Sequence, residues 1–156
     1  MKVYIGPYPN HRFYHNWLYK WFGYSPKQKT RIKIHNYDTW SMDHTLAPII
    51  LPMLQQLKKE KHGAPWVAVI DVPKELRPTK KQLMDYQKDG TTDPKFFERW
   101  NWVLDEMIYA FDCKANKDDV YMRFDIKTQR EAMDAEQERI SNGFRLFGRY
   151  YENLWD

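Results

Sequence analysis

The chain has 156 residues, 42% of them hydrophobic and 29% charged, which suits a globular protein with one core and excludes a disordered polyelectrolyte. No apolar run approaches the roughly 18 residues that span a bilayer, the first residues lack a signal peptide's apolar region, and the lone Cys113 excludes an internal disulfide, so the sequence predicts a soluble protein in a reducing cytoplasm with no membrane partner. Net charge is +4 but uneven: residues 1–62 carry ten Lys/Arg against three Asp/Glu, which points to an anionic partner, and 7 Trp, 11 Tyr and 8 Phe exceed what a core of this size hides, which predicts a homo-oligomer.

In chain order, "KVYI" (2–5) reads as a short strand ended by the turn residues "GPYPN". Residues 11–24 place Phe13, Trp17 and Trp21 four apart, a helical stripe stopped by Gly23 and Pro26. "RIKIHNY" (31–37) alternates Ile32 and Ile34 with Arg31, Lys33 and His35, a strand with one basic face. In "NYDTWSMDHTL" (36–46), Ser41 or Asp43 is placed to cap a helix that runs to about Lys61. Pro48 and Pro52 fall inside it, which predicts a kink or a distorted first turn. "WVAVIDV" (66–72) fits a buried strand or an apolar loop, and polar residues 73–94, with their prolines, read as a long surface loop.

Asp93 and Pro94 open a helix over roughly 95–112 whose stripe is Phe96, Trp100, Val103, Leu104, Met107, Ile108 and Phe111, with Trp102, Asp105 and Glu106 elsewhere on the surface. "DVYMRFDIK" alternates Val120, Met122, Phe124 and Ile126 with polar residues and reads as a half-buried strand. "TQRE" (128–131) matches a capping box before a final helix to about residue 155. Its apolar line is Met133, Ile140, Phe144, Phe147, Tyr151 and Leu154, with Arg139, Arg145 and Arg149 off that face. Gly143 and Gly148 are placed there for close packing or a bend. The prediction is α+β, a single domain with a small antiparallel or mixed sheet (2–5, 31–37, 120–127) packed with three main helices.

The familiar chemical signatures are missing: no phosphate-binding Gly-rich loop, nucleophile elbow or zinc-ligand set. His11 and His15 are four apart, and Asp38, Asp43 and His44 are oxygen- and nitrogen-bearing neighbours, but capping explains the latter more simply than a metal. Asp105 and Glu106 point about 100° apart on a helix, which argues against a shared metal. The sequence predicts no metal, no cofactor and no catalytic residue. A different constellation remains: Arg31, Lys33 and His35 on the strand, Tyr37 and Trp40 beside them, His44 at the helix entrance, and Arg139, Arg145 and Arg149 on the last helix. Arginine forks grip phosphates and aromatic rings stack on bases, so these nine side chains are the candidate ligand-binding set. Trp40 has two readings, a ligand rim or a core residue behind a capped helix.

The segments "IHNYDTWSMDHTLAPIILPMLQQLKKEKHGAP", "RWNWVLDEMIYAF" and "ERISNGFRLFGRYYENLWD", with the opening "KVYIGPY", resemble a family of small uncharacterised proteins of tailed bacteriophages. The resemblance covers over half of the chain and implies expression in the cytoplasm of an infected bacterium. It offers no catalytic motif to carry over. Pro48 stands where that family has a leucine, and "WVAVIDVPKELR" replaces a more acidic loop. The expected function is a non-enzymatic phage accessory protein that binds a small anionic, nucleotide-like ligand, with sequestration of a host immune signalling nucleotide as the analogy. The alternatives are a nucleic-acid-binding protein, a module that binds a host protein, and a nucleotide hydrolase.

Overall fold

Six α-helices, four short 3-10 helices and a single two-stranded hairpin make up the regular structure of the described residues, in place of the expected three-stranded sheet with three main helices. The structure is a computed structural model that describes residues 1–7, 9, 12–117 and 119–155. His11 of the His11/His15 pair, and Tyr8 and Asn10 of the expected turn, lie outside those residues. The chain divides into two compact units, Met1–Met42 and Asp43–Asp156.

In the first unit, β1 (Lys2–Ile5) pairs antiparallel with β2 (Thr30–Lys33), and α1 (Phe13–Phe22) lies between them in sequence. Bonds from the Gly6 N–H to the Lys29 carbonyl (2.8 Å) and from Gln28 Nε2 to the Gly6 carbonyl (2.7 Å) continue the pairing past the strand ends. The Arg12 N–H donates to His15 Nδ1 (2.9 Å) at the start of α1. Gly23 ends it in the left-handed region, φ +63°, where its N–H can reach back to the Tyr19 carbonyl (2.9 Å). A 3-10 turn, Asn36–Thr39, follows β2.

The second unit is helical. α2 (Met42–Glu60) runs through both Pro48 and Pro52. α3 (Lys80–Asp89), α4 (Phe96–Asn116), the four-residue α5 (Val120–Arg123) and α6 (Arg130–Arg149) complete it. Its main core joins Ala47, Leu51 and Leu54 of α2 with the α4 stripe around Trp100, Leu104 and Met107, and with Leu146 and Tyr150. The α4 stripe follows the sequence pattern, with Ile108 at its half-buried edge. α4 and α6 meet at Gly143, where a Cβ would strike the Glu106 carbonyl oxygen and the Ala110 side chain, so only glycine permits this approach.

Four expectations fail for definable reasons. The expected strand at 120–127 is α5 and a turn: helical bonds from Met122 N–H to the Asp119 carbonyl (2.8 Å) and from Phe124 N–H to the Val120 carbonyl (3.3 Å) satisfy the backbone locally. The loop expected at 73–94 contains α3, opened by a reciprocal Thr79–Gln82 box (2.8 and 3.3 Å) and closed by Gly90 at φ +76°. The box expected at 128–131 does not form, because the Thr128 hydroxyl turns back to Asp125 Oδ2 (2.9 Å). Glu106, expected on the surface, is buried where Arg139 neutralises it.

Candidate functional site

The register of the hairpin sets Lys2 opposite Lys33 and Tyr4 opposite Arg31. Opposed residues share a face in an antiparallel pair, so one face carries three cations and a tyrosine, and the other carries Val3, Ile5 and Ile32. Lys2, Arg31 and Lys33 are exposed, and their side chains have neither an ion-pair nor a hydrogen-bond partner among the described residues. Like charges set directly opposite each other destabilise a strand pair by a few tenths of a kcal/mol to about 1 kcal/mol. The strands border an open depression of about 570 Å³.

Asp38 is the single acidic residue among the first 42, and it is engaged elsewhere. Its Oδ1 takes the Met1 ammonium (2.6 Å) and its Oδ2 accepts the His35 backbone N–H (2.7 Å). The His35 bond first, and the ammonium second, hold its pKa below the ordinary carboxylate value. His35 and Tyr37 are exposed at the same turn, and Trp40 is 87% exposed, which removes the reading of Trp40 as a core residue. Arg31, Lys33, His35, Tyr37 and Trp40 thus all belong to the first unit and all face solvent.

The other four candidates belong to the second unit and are engaged there. Arg139 forks onto Glu106 (Nε 3.2 Å to both oxygens, Nη2 2.8 Å) and lies 3.7 Å from the centre of the Tyr109 ring. The hydrogen bond to Glu106 raises the Arg139 pKa. Arg145 Nη1 and Arg149 Nε hold the two oxygens of one carboxylate, Asp71, at 2.8 and 2.9 Å. The Tyr150 hydroxyl donates to the same carboxylate (2.7 Å) and accepts the Ala68 N–H (2.9 Å). The structure thus joins Arg145 with Arg149 and seats Arg139 apart from them on another acid. His44 donates from Nδ1 to the Lys114 carbonyl (3.0 Å), with Asp43 and Asp119 each 3.8 Å from its Nε2. Asp43 binds Lys114 Nζ at 3.0 Å, and that bond lowers its pKa.

One further polar cluster lies in this unit. Glu136 accepts from Tyr109 (2.5 Å) and Arg123 (2.9 Å), and burial pushes the Tyr109 pKa up to about 12. Among the described residues no three His, Cys, Asp or Glu side chains form a group suited to a metal ion. No helix of the described residues is long and apolar enough to cross a membrane.

Sequence reasoning missed Lys2 and Tyr4, which β1 delivers to the basic face of β2. The signal was partial: strand alternation sets Lys2 and Tyr4 on one side of β1, as it sets Arg31 and Lys33 on one side of β2, and the register that puts the two sides together comes from the structure. It also missed Asp71 and Glu106. Asp71 lies in the apolar run "WVAVIDV", and an acid buried in such a run requires a paired cation. By fold, then, the chain is a helical protein whose first unit is a basic hairpin with one aromatic helix. No protein-family model, curated protein or solved structure matches it.

Proposed function

We propose that the chain binds an anionic, nucleotide-like ligand on the basic face of the hairpin. The observation that carries this reading is the set Lys2, Arg31 and Lys33: three cations on one face, two of them directly opposed, with no carboxylate partner among the described residues. A phosphate relieves their mutual repulsion, and the Arg31 fork suits two of its oxygens. Tyr4, across from Arg31, offers a ring to a base. The last-helix arginines drop out of the ligand set in this reading, since buried acids already hold them. With the resemblance to tailed-phage proteins, the reading sets the protein in the cytoplasm of an infected bacterium, where removal of a host signalling nucleotide is one use of such binding.

The test is fluorescence anisotropy with a fluorescein-labelled thymidine dinucleotide. Arg31→Ala and Lys33→Ala should each weaken binding about tenfold, the scale of one hydrogen bond to a charged group. Arg145→Ala should bind as the parent does. Equal binding by the hairpin variants, or an equal loss in Arg145→Ala, would refute the assignment.

A further inference from the structure

α1 carries a second feature that a mononucleotide does not use. At 100° per residue, Phe13, Trp17, Trp21, Tyr14, Leu18 and Phe22 fall on one arc of about 180°, and His15, Asn16, Tyr19 and Lys20 on the other. An apolar arc this wide normally faces a core, yet none of the ten residues is buried. Trp17 is 57% and Trp21 69% exposed, one turn apart, with ring centres 6.0 Å from each other. The unit around them is the most basic part of the protein: residues 1–42 hold seven Lys/Arg and one Asp, and eleven of the chain's aromatic residues.

We infer that the ligand of the first unit is single-stranded nucleic acid, with its phosphates on the hairpin cations and successive bases stacked on Phe13, Trp17 and Trp21. The inference rests on the anion-binding reading above and extends it from one nucleotide to a strand. Charge decides among the occupants of the arc. A second copy packed α1 against α1 would bring two units of net charge +6 together, which repulsion opposes. A polyanion neutralises that charge and also covers the rings. The strand must be single, because stacking needs the free faces of unpaired bases, and every base has such a face. The aromatic excess that pointed to a homo-oligomer is then taken up by the ligand.

The experiment uses the full chain and fluorescein-labelled oligothymidylates of increasing length, read by anisotropy at several salt concentrations and by quenching of intrinsic tryptophan fluorescence. Affinity should rise with length beyond the dinucleotide, and bound bases should quench the tryptophans. Trp17→Ala and Trp21→Ala should each weaken binding of the longer strands about tenfold, the scale of one stacked base, and leave the salt dependence unchanged. Trp17→Phe should retain most of the affinity. Arg31→Ala and Lys33→Ala should instead each lower the slope of log affinity against log salt by about 0.7. If the hairpin variants behave this way and the tryptophan variants bind as the parent does, the stacking inference is wrong and the anion-binding reading stands. Binding that does not grow with length has the same meaning. If neither the dinucleotide nor the longer strands bind, both readings fall. If the protein binds vesicles containing anionic lipid through Trp17 and Trp21 and ignores the oligonucleotides, the arc is a lipid-binding face and the inference is overturned.

Discussion

Asp71→Ala should destabilise the second unit by about 3 kcal/mol, and the reason lies in how unequally the partners are buried. The Asp71 side chain is 1% exposed, whereas those of Arg145 and Arg149 are 47% and 43% exposed. Removing the carboxylate leaves two guanidiniums half in water. Each loses a screened ion pair worth no more than about 1 kcal/mol. The Tyr150 hydroxyl, in contrast, is buried and loses its acceptor, and an unsatisfied buried group costs about 1–3 kcal/mol. The loop at Ala68 that Tyr150 holds is loosened at the same time. Arg145→Ala should cost only about 0.5 kcal/mol, because Arg149 and Tyr150 still satisfy Asp71. Tyr150→Phe should cost about 1 kcal/mol, and its effect should add less than fully to that of Asp71→Ala, since both break the same bond. Urea unfolding followed by far-ultraviolet circular dichroism supplies the free energies. An Asp71→Ala protein within about 0.5 kcal/mol of the parent would refute the argument, as would an Arg145→Ala protein that loses as much as Asp71→Ala.

The two α6 glycines should respond oppositely to alanine in the same unfolding assay. Gly143→Ala drives a methyl into the Glu106 carbonyl and Ala110, and should cost about 1–3 kcal/mol; Gly148→Ala meets nothing within 4 Å and should stabilise the helix by about 0.5–1 kcal/mol. Asp93 is nearly buried against Arg99, and that bond lowers its pKa from the ordinary 3.8. A depressed folded pKa means stability that is present above about pH 4 and lost as pH falls through the lower folded value, so acid titration of unfolding free energy should show a smaller decline below pH 4 in Asp93→Asn than in the parent.

Elements that carry their own instructions were legible. The α4 stripe repeats at helical spacing for four turns, and the stripe is the core. α1 and the last helix likewise declare themselves through period and through Gly23. α3 was missed although Thr79, Gln82 and Gly90 spell its two ends, because a mostly polar helix gives no hydrophobic period to notice. Residues 120–127 show the reverse error. Alternation over eight residues describes a strand only if another edge is there to pair with it, and pairing is a property of the whole chain. Val120 alone of that alternating set reaches the core fully, while Met122 and Ile126 stay exposed.

The site divides along the same line. A cation in sequence is only a charge; whether it is free for a ligand depends on which acid folds onto it. Arg139, Arg145 and Arg149 looked as ready for phosphate as Arg31 and Lys33, and no local pattern separated them. Their acids lie 33 to 78 residues away: Glu106 arrives on α4, and Asp71 from the loop that follows α2. The hairpin has no such supply, because the first 42 residues contain one acid and Asp38 is bound to the Met1 ammonium and the His35 amide. The scarcity of acid within one compact unit, rather than the abundance of base across the chain, is therefore what leaves the hairpin cations without a carboxylate partner, and its extent becomes readable only after the unit boundary at Met42 is known.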